Sequence, residues 1–224
     1  MALRDVMLGD PKGKTAWQRL RDSWSEGRAR DGWLRAFAKA YNPLGLQPGD
    51  LVELGFLDQT GFEVEMVLWF QTAAGDPNYV RYGLKRLESN DVALLEVMPG
   101  VGDEPRTCSL FELVDDFVLD DRLLAVLDEE EVLQRTIADG DGSEVELEFE
   151  KEFVSDARVS IFGAEDQHRD VRVFTYNYFR GDEQGEQYLT VEVVEEAEWM
   201  NFYLGRRVAE TDILALGTAT PAAG

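Results

Sequence analysis

The sequence predicts an α+β fold that is mostly antiparallel β. An N-terminal helical segment precedes two meander-like β modules, packed as a sandwich or barrel, with one helix between them. Three observations predict this fold: strand-length runs with alternating side chains, an amphipathic helical pattern near the N-terminus, and similarity between the two halves of the body. The predicted units are residues 1–43, 44–137, 138–216 and a flexible tail, 217–224.

Residues 14–41 have the periodicity of a basic amphipathic helix, and because Gly27 and Gly32 interrupt the pattern it predicts either one bent helix or two short ones. Its tryptophans Trp17, Trp24 and Trp33 are candidate binding residues, because a basic helix that carries tryptophan can dock into a partner or lie on a membrane surface. The alternative is a helix that packs on the protein's own sheet. Three exposed tryptophans would be a large apolar load, which favours that alternative.

The first β module follows a turn at Pro48-Gly49. Phe62–Phe70 is its clearest strand, and the apolar residues at every second position are expected on one face. Polar turn segments separate the runs. Strands are expected at Leu51–Leu54, Phe62–Phe70, Tyr79–Leu87 and Val92–Val97.

A helix is expected between the two modules. Leu119, Leu123 and Leu127 recur at helical spacing, and Val132 and Leu133 extend the same pattern. The acidic run that follows Leu127 forms either the solvated face of this helix or a turn.

Two short motifs resemble ligand-binding loops but have the wrong spacing. Residues 9–15, GDPKGKT, have one residue too few for a phosphate-binding loop. Residues 139–143, DGDGS, resemble the start of a calcium loop, but Glu144 occupies the position that requires glycine. Both are therefore interpreted as turns, the second ahead of a strand that begins at Val145.

The second β module contains three alternating runs that predict an antiparallel meander: Val171–Arg180, Tyr188–Val194 and Trp199–Leu204. Exposed aromatic residues on such strands could line a groove for a sugar or a peptide. The alternative places one face in the core and the other under the N-terminal helix. The candidate residues are Tyr176, Tyr178, Tyr188 and Trp199.

The two modules contain similar hairpins. Val80–Arg86 and Ala93–Val97 resemble Phe174–Arg180 and Tyr188–Val193, with a polar turn between the runs in each pair. Any aromatic hairpin would give part of this match. Duplicated modules, packed as two sheets or as two halves of a barrel, are the hypothesis that it supports.

Charge is distributed unevenly along the chain. The net charge is −23, yet residues 1–41 contain nine basic and five acidic residues. A basic head therefore precedes an acidic body, which should repel nucleic acids and anionic membranes. The acid excess indicates either a solvated surface that keeps the protein soluble or a partner protein with a basic surface. Only five of the 22 basic residues are lysine. This preference for arginine, together with the acid excess, would also suit a salt-rich cytoplasm or a GC-rich genome.

Residues for conventional catalysis are scarce. His168 is the only histidine and Cys108 the only cysteine, so the usual zinc and iron ligand sets are excluded and neither a metal nor a cofactor is expected. No motif brings Cys108 or a serine near His168, as a nucleophile and its base require.

Neither a secretory signal nor an apolar run of about 20 residues is visible, which predicts a cytoplasmic protein.

The C-terminal strands resemble those of a known family. Tyr188–Val193, Tyr203–Gly205 and Asp212–Leu214, with a looser match at Leu46–Glu53, are similar to the C-terminal part of the uncharacterised YjfK-like bacterial proteins. The resemblance covers about a third of the chain. It implies an accessory protein that accompanies membrane-remodelling proteins of the PspA type, and it implies no catalytic residues.

The sequence thus favours a non-enzymatic acidic adaptor that acts through protein contacts, in a membrane-stress or membrane-remodelling system. Its expected partner is a protein with a basic surface or a PspA-type protein. Residues 14–41 would supply any peripheral membrane contact. The alternative is a carboxylate-based enzyme or a sugar-binding module that uses the aromatic face of the meander.

Overall fold

The computed structural model describes residues 41–55, 61–72, 77–89, 91–100, 104–138, 144–163, 168–182, 185–194 and 197–218. These residues form eleven strands, one α-helix and a short 3₁₀ turn. The strands are β1 (Asp50–Leu54), β2 (Gly61–Gln71), β3 (Pro77–Arg86), β4 (Val92–Met98), β5 (Thr107–Val118), β6 (Val132–Ala138), β7 (Glu144–Gly163), β8 (His168–Asp182), β9 (Gly185–Val194), β10 (Trp199–Val208) and β11 (Ile213–Thr218). The helix α1 is Asp121–Glu129, and the 3₁₀ turn is Glu210–Asp212.

All the strands belong to one antiparallel sheet, in the order β11-β1-β2-β3-β4-β5-β10-β9-β8-β7-β6. An additional pairing of β2 with β7 closes eight of these strands into a barrel. Beyond the barrel, β6 extends the sheet from β7, while β1 and β11 extend it from β2. Within the described sheet, only β6 and β11 have an edge without a neighbouring strand.

The predicted α+β class is wrong. The described residues are nearly all β, and strands from both predicted modules lie side by side in one barrel. Alternation along the sequence identifies strands, but the β2–β7 and β5–β10 pairings join residues far apart in the chain and leave no local pattern. The predicted N-terminal helical segment, residues 1–43, lies outside the described residues except for 41–43.

The helix between the modules is shorter than its apolar pattern. The side chain of Asp120 caps its first turn by accepting hydrogen bonds from the backbone N–H groups of Arg122 and Leu123. The chain is extended again at Glu130. Val132 then begins β6, which pairs with β7, so its side chain belongs to a strand and the helical extension was wrong.

Strand β2 does not keep its apolar residues on one face. The register against β3 shifts between Val64 and Met66, and this bulge reverses the alternation. Phe62 and Val64 therefore pack on one side of the sheet, while Leu68 and Phe70 pack on the other. The expectation of a single apolar face from Phe62 to Phe70 was wrong.

The barrel consists of two four-stranded meanders, β2–β5 and β7–β10, joined by the β5–β10 and β2–β7 pairings. The β3–β4 hairpin of the first meander and the β8–β9 hairpin of the second pair equivalent residues. Arg81 pairs with Glu96 in the first, and Thr175 pairs with Glu192 in the second. This arrangement agrees with the similarity between the hairpin sequences. The two similar segments are two halves of one barrel.

Both faces of the barrel wall are packed. One cluster fills the interior, and it includes Leu68, Val159 and Tyr203. A second covers the outside of β2–β5, and a third packs the outside of β8–β10 against Leu123 and Leu127 of α1. No helix in the described ranges is both long and apolar enough to span a membrane.

Candidate functional site

A buried ion cluster lies inside the barrel between its two halves. Arg81 of β3 is 1% exposed. Its Nε donates to Oε2 of Glu96 on β4 at 2.8 Å, and its Nη1 donates to Oε1 of Glu192 on β9. The guanidinium therefore connects the two meanders. Burying a charge is costly unless the charge is paired and hydrogen-bonded, and the two glutamates provide both.

Three aromatic rings surround the Arg81 guanidinium. Its Cζ lies 5.1, 5.2 and 5.3 Å from the ring centroids of Phe70, Tyr79 and Phe111, within the range of cation–π attraction. Burial opposes the charge, but Glu96 and the other acidic neighbours outweigh burial and raise the pKa of Arg81 above its ordinary value. Burial also raises the pKa of the Tyr79 hydroxyl. Arg81 is therefore a permanent buried cation.

The ion cluster was not predicted from the sequence, although a signal for it exists. In β3, Arg81 lies between Val80 and Tyr82, and both neighbours are apolar and buried on the opposite face. Glu192 lies in the same way between Val191 and Val193 of β9. A charged residue in a strand that is packed on both faces has to be buried and needs a partner.

A cavity of about 250 Å³ opens beside this cluster and is lined by residues of six strands, β4, β5 and β7–β10. Glu96 belongs to both the ion cluster and the cavity lining. The hydroxyls of Thr107 and Ser109 and the polar side chains of Asn177 and Thr190 also line it. The Thr190 hydroxyl donates to Oδ1 of Asn177 at 3.0 Å. The cavity thus has a polar lining continuous with a buried charge.

A β-bulge places a carboxylate at the cavity. The register of β7 against β8 shifts between Lys151 and Phe153, so Glu152 is an extra residue in β7. Consecutive residues of a regular strand point to opposite faces. The bulge instead allows both Glu152 and Phe153 to line the cavity. Both residues are exposed, which places them on the solvent side of the cavity.

Tyr176 and Tyr178 do not form an exposed binding face. Their side chains lie on the outside of the barrel beneath α1, where they are 6% and 1% exposed. The Tyr176 hydroxyl donates to Oδ1 of Asp128 at 2.7 Å, and the Tyr178 hydroxyl donates to the carbonyl of Leu127 at 3.4 Å. Their position is structural, because they attach the helix to the barrel.

Tyr188 and Trp199 lie on the interior side of the wall. Trp199 is 8% exposed and donates from Nε1 to Oδ2 of Asp116 at 3.1 Å. Tyr188 is half-buried and lines the cavity, where its hydroxyl donates to Oε2 of Glu186 at 2.8 Å. Burial and this hydrogen bond raise the pKa of Tyr188 to about 12. The structure therefore separates the four candidate aromatic residues. Tyr178 and Tyr188 both belong to the cavity lining, but of these two only Tyr188 has a partly accessible side chain.

Several predicted features lie outside the described residues. They are Trp17, Trp24 and Trp33, the glycine-lysine turn at 9–15 and the acidic turn at 139–143. His168 begins β8, and its backbone pairs with Phe162. Among the residues that the structure describes, no three His, Cys, Asp or Glu side chains are grouped as a metal site would require.

Cys108 lies in the cluster that covers the outside of β2–β5 and is 2% exposed. Burial raises the pKa of its thiol to about 11. Because thiolate is the reactive form, we expect iodoacetamide at pH 8.5 to alkylate the folded protein at least about 100-fold more slowly than the protein in urea. Mass spectrometry of timed samples measures both rates. Similar rates would contradict the burial of Cys108.

Comparison with known proteins gives no match: no family model, no curated protein and no solved structure matches the chain. The resemblance to the YjfK-like proteins therefore stays a prediction.

Proposed function

We propose that the protein is a non-catalytic acidic accessory protein that binds a basic segment of another protein along β11. The proposal is based on the outer edge of β11, which has no neighbouring strand among the described residues. This strand pairs with β1, and no other described strand pairs with it. Its Leu214 and Leu216 are 48% and 57% exposed. An edge strand with exposed apolar side chains can accept an extended segment of a partner as a further strand.

The charge around β11 favours a basic partner. Acidic residues of β1 lie opposite the strand, since Glu53 pairs with Leu214 and Asp50 pairs with Thr218. The acidic body as a whole attracts basic surfaces and repels a second acidic body. A basic extended segment therefore suits this edge better than a second copy does.

The resemblance to the YjfK-like proteins suggests where such a partner acts. It implies an accessory role beside PspA-type membrane-remodelling proteins. Residues 14–41, within the basic head, would provide any peripheral membrane contact. The acidic body opposes binding to nucleic acid. The proposed function accordingly requires neither a metal nor a cofactor.

Lysine at both exposed leucines should remove most of the binding to the partner. In L214K/L216K the apolar contact is lost, and the edge gains charges that repel a basic segment. We expect the double variant to retain about a tenth or less of the partner that the unaltered full-length chain binds. The partner is first isolated on immobilised full-length protein and identified by mass spectrometry. Its affinity for each variant is then measured by calorimetry.

A matched control uses exposed valines at other positions. Val118 and Val154 are 59% and 52% exposed, so V118K/V154K adds the same charge without altering β11. This control should bind the partner as the unaltered protein does. Hydrogen exchange should also show slower exchange of the β11 amides in the complex. Equal binding by both double variants, or unchanged exchange in β11, would contradict the proposal.

A further inference from the structure

We propose that the cavity beside the ion cluster binds a small organic cation of the alkylammonium class. Glu96 and Glu152 would pair with its charge, and the aromatic side chains of the lining would contact its alkyl part. This inference is independent of the proposed role of β11, because the cavity is lined by β4, β5 and β7–β10. The cavity can fail to bind amines while β11 still binds the partner, and β11 can fail to bind the partner while the cavity still binds amines.

Glu96 provides a buried carboxylate oxygen for the cation. Its side chain is 10% exposed, and Oε2 receives both contacts from Arg81, one from Nε and one from Nη2, each at 2.8 Å. No described side chain donates to Oε1 of Glu96, although the residue lines the cavity. A carboxylate in a partly desolvated site attracts a cation more strongly than one in bulk water does.

Glu152 provides the second carboxylate, on the solvent side of the cavity. It lies in the lining because of the bulge in β7, and bulges commonly redirect a side chain next to a binding site. Phe111, Phe153 and Tyr188 supply aromatic surface. Aromatic faces attract ammonium groups and pack against alkyl chains. The lining therefore combines the two features that recognise an alkylammonium ion.

The charge balance selects a cation over an anion. Of the two arginines at the site, Arg81 is paired with Glu96 and Glu192, and Arg207 lies 3.4 Å from Glu186. Both guanidinium groups are thus engaged by carboxylates. Glu152 adds a further negative charge, so the site favours a positively charged ligand, as does the net charge of −23.

Three four-carbon probes test the charge requirement. The full-length chain is titrated with 1,4-diaminobutane, n-butylamine and n-butanol at pH 7 and low salt, and binding is followed by calorimetry. We expect the diamine to bind most tightly, since it carries two positive charges into a site with two carboxylates, and the monoamine to bind less tightly. Butanol should not bind measurably. Binding should weaken as salt is added, because the contact with Glu152 is exposed.

A fourth probe distinguishes a free amine from a side chain of a protein. If Nα-acetyl-lysine amide binds more tightly than n-butylamine, the ammonium group belongs to a lysine of a partner. If it binds less tightly, the ligand is a free amine. Both results support an alkylammonium site.

Glu152→Gln removes one charge without altering the buried ion cluster. It should weaken binding of the diamine about fivefold, as expected for an ion pair near the surface. Glu146→Gln makes the same change at an exposed residue of β7 that does not line the cavity, and it should leave the affinity unchanged. The proposal is overturned if no amine binds, if butanol binds as well as butylamine, or if Glu152→Gln binds the diamine as tightly as Glu146→Gln does.

Discussion

Replacement of Arg81 with methionine should lower the free energy of unfolding by about 3–5 kcal/mol. Methionine reaches about as far as Nε of arginine and fills part of the space that Arg81 occupies beside Phe70, Tyr79 and Phe111. It cannot neutralise Glu96 and Glu192, however, and both buried carboxylates lose their ion pair with Arg81. Urea unfolding followed by circular dichroism measures the change.

Two further variants identify the cause. The triple variant R81M/E96L/E192L removes the three charges of the cluster and should recover most of the lost stability, because an apolar set of similar volume often replaces a buried ion cluster without loss. Arg172→Met removes a cation from an exposed pair with Asp156 and should cost less than about 1 kcal/mol. If R81M is as mild as Arg172→Met, the cluster does not hold the two halves together.

Gly205→Ala should lower the free energy of unfolding by about 1–3 kcal/mol through overpacking. Gly205 of β10 pairs with Phe111 of β5, and an added Cβ would overlap Cδ1 and Cε1 of the Phe111 ring. That ring also packs on the Arg81 guanidinium, so moving the ring aside would disturb its contact with Arg81. Thermal unfolding followed by calorimetry measures the loss.

Gly83→Ala is the matched control for Gly205→Ala. An added Cβ at Gly83 would meet Cγ of Met66 at 2.7 Å, but a methionine side chain can change its rotamer. Alanine also suits a strand better than glycine does, so this variant should lie within about 1 kcal/mol of the unaltered protein. Phe111→Leu combined with Gly205→Ala should restore part of the stability. Equal losses at both glycines would refute the role assigned to the Phe111 ring.

Alternation predicted the strands and most of their faces because it is a local property of the chain. Leu189, Val191 and Val193 share one face of β9, as expected, and pack against Met200 and Phe202 of β10. Bulges cannot be recognised in this way, because the extra residue at position 65 or 152 leaves no mark on the local composition and recurs at no fixed spacing. The sequence therefore could not show that β2 changes faces or that Glu152 reaches the cavity.

The candidate site was largely hidden because its parts come from both halves of the chain. Arg81, Glu96 and Glu192 all lie in the two hairpins whose sequences resemble each other, but their contact depends on the pairings that close the barrel. Tyr188 was predicted as a binding residue and lines the cavity. The aromatic pattern alone could not show that Tyr176 and Tyr178 are covered by α1.

The two-halved construction of the barrel gives the chain a route to dimers. Each meander contributes one strand to the β2–β7 pairing and one to the β5–β10 pairing. Exchange of one meander between two molecules would recreate both pairings, and the Arg81–Glu192 contact would then join different chains. Such domain swapping needs no new interface. Protein refolded at high concentration should therefore contain interlocked dimers that separate only by unfolding.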